Sequence, residues 1–171
     1  MTARGPAATV GGVITRELLA SVEIFSALSP ADADALAAIG KEEAYKKGQP
    51  VFREREPADR LYLVVSGVVE VSKSAAADGR IHRLARLERG EILGEISAFD
   101  RGPRSATATA ALVPETRLVA WSIADFQAFL HQRPAAAMTI LPALLRKMGQ
   151  RLRQASEGIH TLLRALEGSP V

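Results

Sequence analysis

From Val51 to Trp121 the chain is cut by a turn signal roughly every ten residues, a spacing that limits it to short paired strands. Val51-Phe52-Arg53, Arg60 to Val65, Val68 to Ser72, Ile81 to Leu87, Thr107 to Leu112 and Thr116 to Trp121 are rich in β-forming residues. Around them stand Lys47-Gly48, Pro57, Ser66-Gly67, Asp78-Gly79, Arg89-Gly90, Gly102-Pro103 and Pro114. These supply the unusual or fixed backbone angles that turns need. Strands this short bury nothing alone, so the pattern predicts a sandwich or barrel. Ser74 to Gly79, small and polar, reads as a hairpin tip.

Helices flank this region. Leu18, Leu19, Val22 and Phe25 recur at helical spacing and predict a helix over Thr15 to Phe25. Ser29-Pro30-Ala31-Asp32 opens another, with Ser29 as N-cap and Pro30 at the first helical position, ending at Gly40. After Trp121, Ser122 caps a short helix through Phe126 and Leu130, and Pro134 opens a long one. In it Leu141, Leu145, Met148, Leu152, Ala155, Ile159, Leu162 and Leu166 step alternately by four and three. That is a heptad seam. A helix of about 33 residues is about 50 Å long and outruns a small barrel, so the seam favours self-association into a homodimer over packing within the chain. Pro142, Gly149 and Gly158 count against it. The expected organisation is a flexible leader over 1–14, the β unit with its helices over 15–133, the long helix over 134–166 and a tail over 167–171.

Composition narrows the function. With 47% hydrophobic and 24% charged residues among 171, the chain can build a core. It has no cysteine, which removes disulfides, thiol catalysis and thiolate metal sites. His82, His131 and His160 form no short-range pair, so no metal site is expected. No apolar run is long enough to span a bilayer, and Met1 to Gly12 is not a signal peptide, so a cytoplasmic setting is expected. The net charge of +3 comes from the C-terminal part: Arg133, Arg146, Lys147, Arg151, Arg153 and Arg164 face only Glu157 and Glu167 there.

The stretch Gly94-Glu95-Ile96-Ser97-Ala98-Phe99-Asp100-Arg101-Gly102-Pro103-Arg104-Ser105-Ala106 carries the chemistry. Gly94 lets backbone approach a ligand, and Glu95 to Phe99 is long enough for one helical turn whose first amides favour a phosphate. Arg104 offers a planar fork for phosphate oxygens, Pro103 stiffens its approach, and Ser105 adds a hydroxyl. Glu95 only accepts hydrogen bonds, which suits a sugar hydroxyl rather than a phosphate. The bland alternative is a loop salt bridge between Glu95 and Arg104.

This pattern resembles the phosphate-binding cassette of the cyclic nucleotide-binding domain family, found in catabolite activators, protein kinase A regulatory subunits and cyclic nucleotide-gated channels. Phe25-Ser26-Ala27-Leu28-Ser29, Lys47-Gly48, Phe52, Leu61 to Gly67 and Gly90-Glu91 extend the likeness from about Leu18 to about Leu163. The resemblance implies a mainly β fold with flanking helices: an eight-stranded jelly-roll-like β-barrel, N-terminal helices and a long C-terminal helix. It implies that Glu95 holds the ribose 2′-hydroxyl, that Arg104 neutralises the cyclic phosphate helped by Ser105, and that backbone near Ile96 and Ser97 completes the cradle beside Gly94. It places Val71 and Leu84 at the purine. On the long helix it sets Arg151 where an arginine can pair with the cassette glutamate, and Ser156 where a hydroxyl can touch the base; otherwise Ser156 is a small polar residue on a helix face. One departure stands out: Arg55 occupies a turn position where the family has glycine.

The resemblance implies a ligand, cAMP or possibly cGMP, read by a regulatory module that signals through its long helix to an unidentified protein partner. The alternative is the sensing half of a catabolite-activator-like transcription regulator. Only five residues follow Leu166, so a DNA-binding domain after the helix is not expected in this chain. An enzyme is not expected, because the cassette lacks a nucleophile–base pair. Arg80, Arg83, Arg86 and Arg89 read as the solvated face of a strand.

Overall fold

The computed structural model describes residues 8–9, 14–74 and 80–167. The tip residues 75–79 and the tail residues 168–171 lie outside the described residues, as does the leader apart from Ala8, Thr9 and Ile14. In chain order the elements are β1 (Ala8–Thr9), α1 (Arg16–Ala20), α2 (Pro30–Ala38), β2 (Lys41–Lys46), β3 (Pro50–Phe52), β4 (Arg60–Ser66), β5 (Val69–Ser74), β6 (Ile81–Leu87) and β7 (Ile92–Leu93). There follow α3 (Glu95–Asp100), β8 (Thr107–Ala110), β9 (Glu115–Ser122), α4 (Ile123–Gln132) and α5 (Pro134–Glu167).

The strands form two antiparallel sheets, β1-β2-β9-β4-β7 and β3-β8-β5-β6. The expectation of a mainly β, jelly-roll-like unit with flanking helices holds. Nine short strands are described where eight are expected, and their two sheets do not close on one another. Ala8–Thr9 pair with Ala44 and Glu43 of β2, and Ile14 packs on the core, so residues 8–9 and 14 belong to the folded unit.

Sheet residues alternate between two cores because successive side chains point to opposite faces. Along β4, Leu61 and Leu63 face the helices while Tyr62 and Val64 face the second sheet; along β9, Val119 and Trp121 oppose Leu118 and Ala120 in the same way. Burial on both faces is why β4 reads as an unbroken apolar run. The helical side holds Phe25, Leu36, Phe126, Ile140 and Leu144, and the Trp121 indole donates to the Leu36 carbonyl at 2.9 Å.

The first helix is shorter than its periodicity. It ends at Ala20, because the Ser21 hydroxyl donates to the Leu18 carbonyl at 2.7 Å and the chain tightens into turns. Val22, Ile24 and Phe25 are all buried, which one stripe of a regular helix cannot achieve. The other caps form as read: Ser29 accepts from the Asp32 amide, and Ser122 from the Asp125 amide. The long helix runs from Pro134 through Pro142 to Glu167. Its Ala136, Ile140, Ala143 and Leu144 face the core, while Leu145, Leu152 and Ile159 of the seam are exposed. The side chains of Leu162 and Leu166 lie outside the described residues. No described helix is long and apolar enough to cross a membrane.

Candidate functional site

The site begins where β7 ends. Ile92 and Leu93 pair with Leu63 and Tyr62 of β4 and are buried in the two different cores, which fixes the exit of the strand. Gly94 then takes φ 80°, a left-handed turn into α3. A Cβ here would lie 2.5 Å from Arg104 Nη1 and 3.1 Å from the Arg60 carbonyl oxygen, so any side chain must displace the guanidinium. Ile96 and Ser97 lie in the first turn of α3, whose amides have no carbonyl partner within the helix. Ser97 is buried and its hydroxyl donates to the Pro103 carbonyl at 3.3 Å, closing the cassette loop. Ile96 and Ser105 are exposed.

Glu95 and Arg104 are the buried charges of this loop, 6% and 2% exposed. Arg104 lies with its guanidinium carbon 4.1 Å from the centre of the Phe52 ring and 5.9 Å from that of Tyr62. A cation over an aromatic face is favourable, more so when both are dry. Nη2 is 3.8 Å from Asp59, which also pairs with Arg60 at 3.4 Å. The backbone is clamped as well: the Arg55 amide donates to the Arg104 carbonyl at 2.8 Å, and the Arg104 amide to the Glu56 carbonyl at 2.9 Å. Arg55 has φ 66°. The turn therefore needs the conformation that glycine adopts freely, and arginine there costs about 1 kcal/mol.

Glu95 faces the long helix. Arg151 Nη1 donates to Glu95 Oε1 at 2.7 Å and Nη2 to the Ile92 carbonyl at 2.9 Å, with Glu91 3.6 Å from Nη2. Burial pushes the Glu95 carboxyl above its ordinary value, and the nearby charge of Arg151 pulls it part of the way back. Glu95 thus forms a salt bridge with Arg151, and the Arg104 charge also acts on its carboxyl.

Model comparison decides the family. The family model described as the cyclic nucleotide-binding domain matches residues 42–133. The chain belongs to that family. Over 147 residues this cyclic nucleotide-binding domain is 33% identical to the CRP-like cAMP-activated global transcriptional regulator of Mycobacterium tuberculosis, covering 86% of this chain and 62% of the relative. The N-terminal domain of a transcriptional regulator from Streptomyces coelicolor superposes with a TM-score of 0.65 at 36% identity, covering 83% of this chain and 94% of that one. The catabolite activator protein of Thermus thermophilus gives 0.67 at 34%, covering 82% and 62%. The chain thus spans about three-fifths of the whole regulators that it matches.

Within this cyclic nucleotide-binding domain, Gly94, Glu95, Ser97, Arg104 and Arg151 converge. Val71 is half-buried against the inner core beside its strand partner Ala85. Leu84 sits in a register shift of the β5–β6 pair and is 57% exposed, so it does not belong to the core. Ser156 and Ala155 are exposed on α5. Ser156 lies about 7.5 Å further along the axis than Arg151 and about 140° around it, so the structure does not bring it to the cassette. Sequence reasoning gave no role to Asp59, Glu91 and Gln127. The Gln127 amide donates to the Ala98 carbonyl at 2.6 Å and ties α4 to α3. No local spacing announces these three, since each acts across the fold.

Proposed function

We propose that this chain is a sensor of a cyclic purine nucleotide, cAMP in preference to cGMP, and that it acts without catalysing a reaction. The observation that carries this reading is the placement of one buried carboxylate and one buried guanidinium on a single glycine-opened loop. Arg104 would neutralise the cyclic phosphate with Ser105 and the first amides of α3, and Glu95 would accept from the ribose. Val71 and Leu84 would line the purine. The preference for cAMP follows from Ser105, in place of threonine, after Arg104.

Signalling would proceed by a population shift between two positions of α5, set by the difference in nucleotide affinity of each. Arg133 separates α4 from α5 and gives the hinge, while the Gln127–Ala98 bond links α4 to the cassette. Ligand drawing Leu93 to Phe99 inward would shift α4 and swing α5 towards the base, where Ser156 could reach it. The exposed seam of α5 would join two copies and pass the change to a partner. Titration calorimetry with cAMP and cGMP tests the binding. Saturable heat is expected with cAMP, and none with either nucleotide up to millimolar concentration would overturn the reading. Arg104→Lys keeps the charge but loses the planar fork, so binding should weaken at least about tenfold.

A second reading draws on the likeness to the Streptomyces coelicolor N-terminal domain: this chain would be the sensing half of a transcription regulator. The mass of the native protein in its source cells tests it. A product some 60 residues longer would support a helix-turn-helix unit, and a product of this length would exclude one.

A further inference from the structure

On the cassette lies a groove of about 520 Å³ that shares Ser97 with the nucleotide reading but is lined by neither Glu95 nor Arg104. Four segments line it: the β3–β4 turn through Arg55 and Pro57, α3 through Ser97, the loop after α3 through Arg101 and Pro103, and α4 through Ile123 and Gln127. Among the described residues that line it, Arg55 and Arg101 alone carry charge, and both are exposed. The nearby carboxylates have partners: Asp59 pairs with Arg60, Glu56 accepts from the Arg53 amide at 2.9 Å, and Asp100 accepts from the amide of the lining residue Gly102 at 2.7 Å.

Both arginines also sit in the left-handed region, at φ 66° and 58°. Glycine would occupy either position without strain, so the chain bears a cost at two places that flank one groove. The return must come from the side chains. The proline and isoleucine surfaces between the two cations suit a chain segment better than a lone ion, and the volume falls in the range of ligand pockets.

We propose that this groove docks an extended acidic segment of a partner protein. The segment would lay carboxylates on Arg55 and Arg101 and apolar atoms on Pro57, Pro103 and Ile123. The Arg55 amide holds the Arg104 carbonyl and Gln127 holds Ala98, so the docking surface is fastened to the segments that carry the nucleotide cassette.

The test uses the full chain without nucleotide, so that its outcome is independent of the nucleotide reading. Fluorescence anisotropy follows a labelled peptide of alternating glutamate and alanine, with a glutamine–alanine peptide as control. The glutamate peptide should bind saturably, and the control at least about tenfold more weakly, because charge-assisted arginine contacts are lost. Arg55→Gly and Arg101→Gly should each weaken the glutamate peptide, and the double variant more than about tenfold. These substitutions relieve strain, so melting temperatures should hold or rise while binding falls, which separates loss of the site from unfolding. The proposal is overturned if the double variant binds like the unaltered chain. It is also overturned if Arg146→Glu with Arg153→Glu on α5 abolishes binding instead, or if inorganic phosphate displaces the peptide at equal concentration.

Discussion

Arg151, on the long helix that follows Arg133, donates to the buried Glu95 carboxylate across 2.7 Å. That bond joins the long helix to the loop that opens at Gly94, and it is reinforced by the Ile92 carbonyl at 2.9 Å. The carboxylate proposed for the ribose is therefore the same group that holds α5 in place. In the proposed reading, a ligand that engages Glu95 would act on the position of the helix through one side chain.

Removing Arg151 leaves Glu95 buried with its main charge partner gone. Arg151→Ala should cost about 1–3 kcal/mol at neutral pH, the price of stranding a charged acceptor, reduced because the arginine is partly exposed. Urea denaturation of both proteins measures it. A loss below about 0.5 kcal/mol, the usual size of a surface substitution, would mean that the pair does not anchor the helix.

The pH dependence of stability has a definite sign at this residue. The folded Glu95 carboxyl lies above its ordinary value because burial disfavours the charge. Its contribution is then fully present below the unfolded value of about 4.5 and is lost as pH rises through the folded value. Relative to Glu95→Gln, the unaltered chain should lose stability as pH is raised from that point, and a relative gain would contradict the assignment. Asp32 runs the other way. The Ser29 hydroxyl, and then Arg133, hold it below its usual value, so its contribution is lost as pH falls through the folded value. Asp32→Asn should remove that acid-side loss from the urea midpoints.

Gly94 and Gly90 have nearly equal φ, 80° and 86°, but different surroundings. A Cβ at Gly90 meets nothing within 4 Å, whereas at Gly94 it meets the Arg104 guanidinium and the Arg60 carbonyl. Both alanine variants should lose about 1 kcal/mol to backbone strain. Only Gly94→Ala should also displace Arg104, and with it lower nucleotide affinity by at least about tenfold, or 1.4 kcal/mol. Calorimetry on the two variants checks this, and equal affinities would separate Gly94 from the phosphate site.

The parts that could be read in advance were those written into local patterns. The strands β3 to β6, β8 and β9, the Ser29 and Ser122 caps and the break at Pro134 follow from turn residues and periodicity. The left-handed Arg55 was legible only through the resemblance, because the family has glycine at that turn position. Strand β2 was missed because Lys41–Lys46 reads as charged, yet Glu42 and Glu43 are buried by pairing with Arg117 and Arg60 of other strands. Partners distant in sequence settled that element, and no window along the chain contains them. Asp59, Glu91 and Gln127 escaped for the same reason, and Ser156 was placed near the site by alignment although helix geometry turns it away in this conformation.

The seam of α5 gives the last prediction. Leu145 and Leu152 are 67% and 69% exposed, and Ile159 is also exposed, on a helix that continues about 24 Å beyond Arg151. A row of large apolar side chains at heptad spacing is the expected surface of a two-helix contact, and burying each contributes about 1.5–3 kcal/mol. Sedimentation of the unaltered chain should give a dimer. Leu152→Glu sets a carboxylate into the middle of the contact, where desolvation opposes association. It should yield a monomer with an unchanged urea midpoint for the β unit, because Leu152 touches no core. Should the unaltered chain sediment as a monomer at high concentration, both with and without nucleotide, the seam would have no role in self-association.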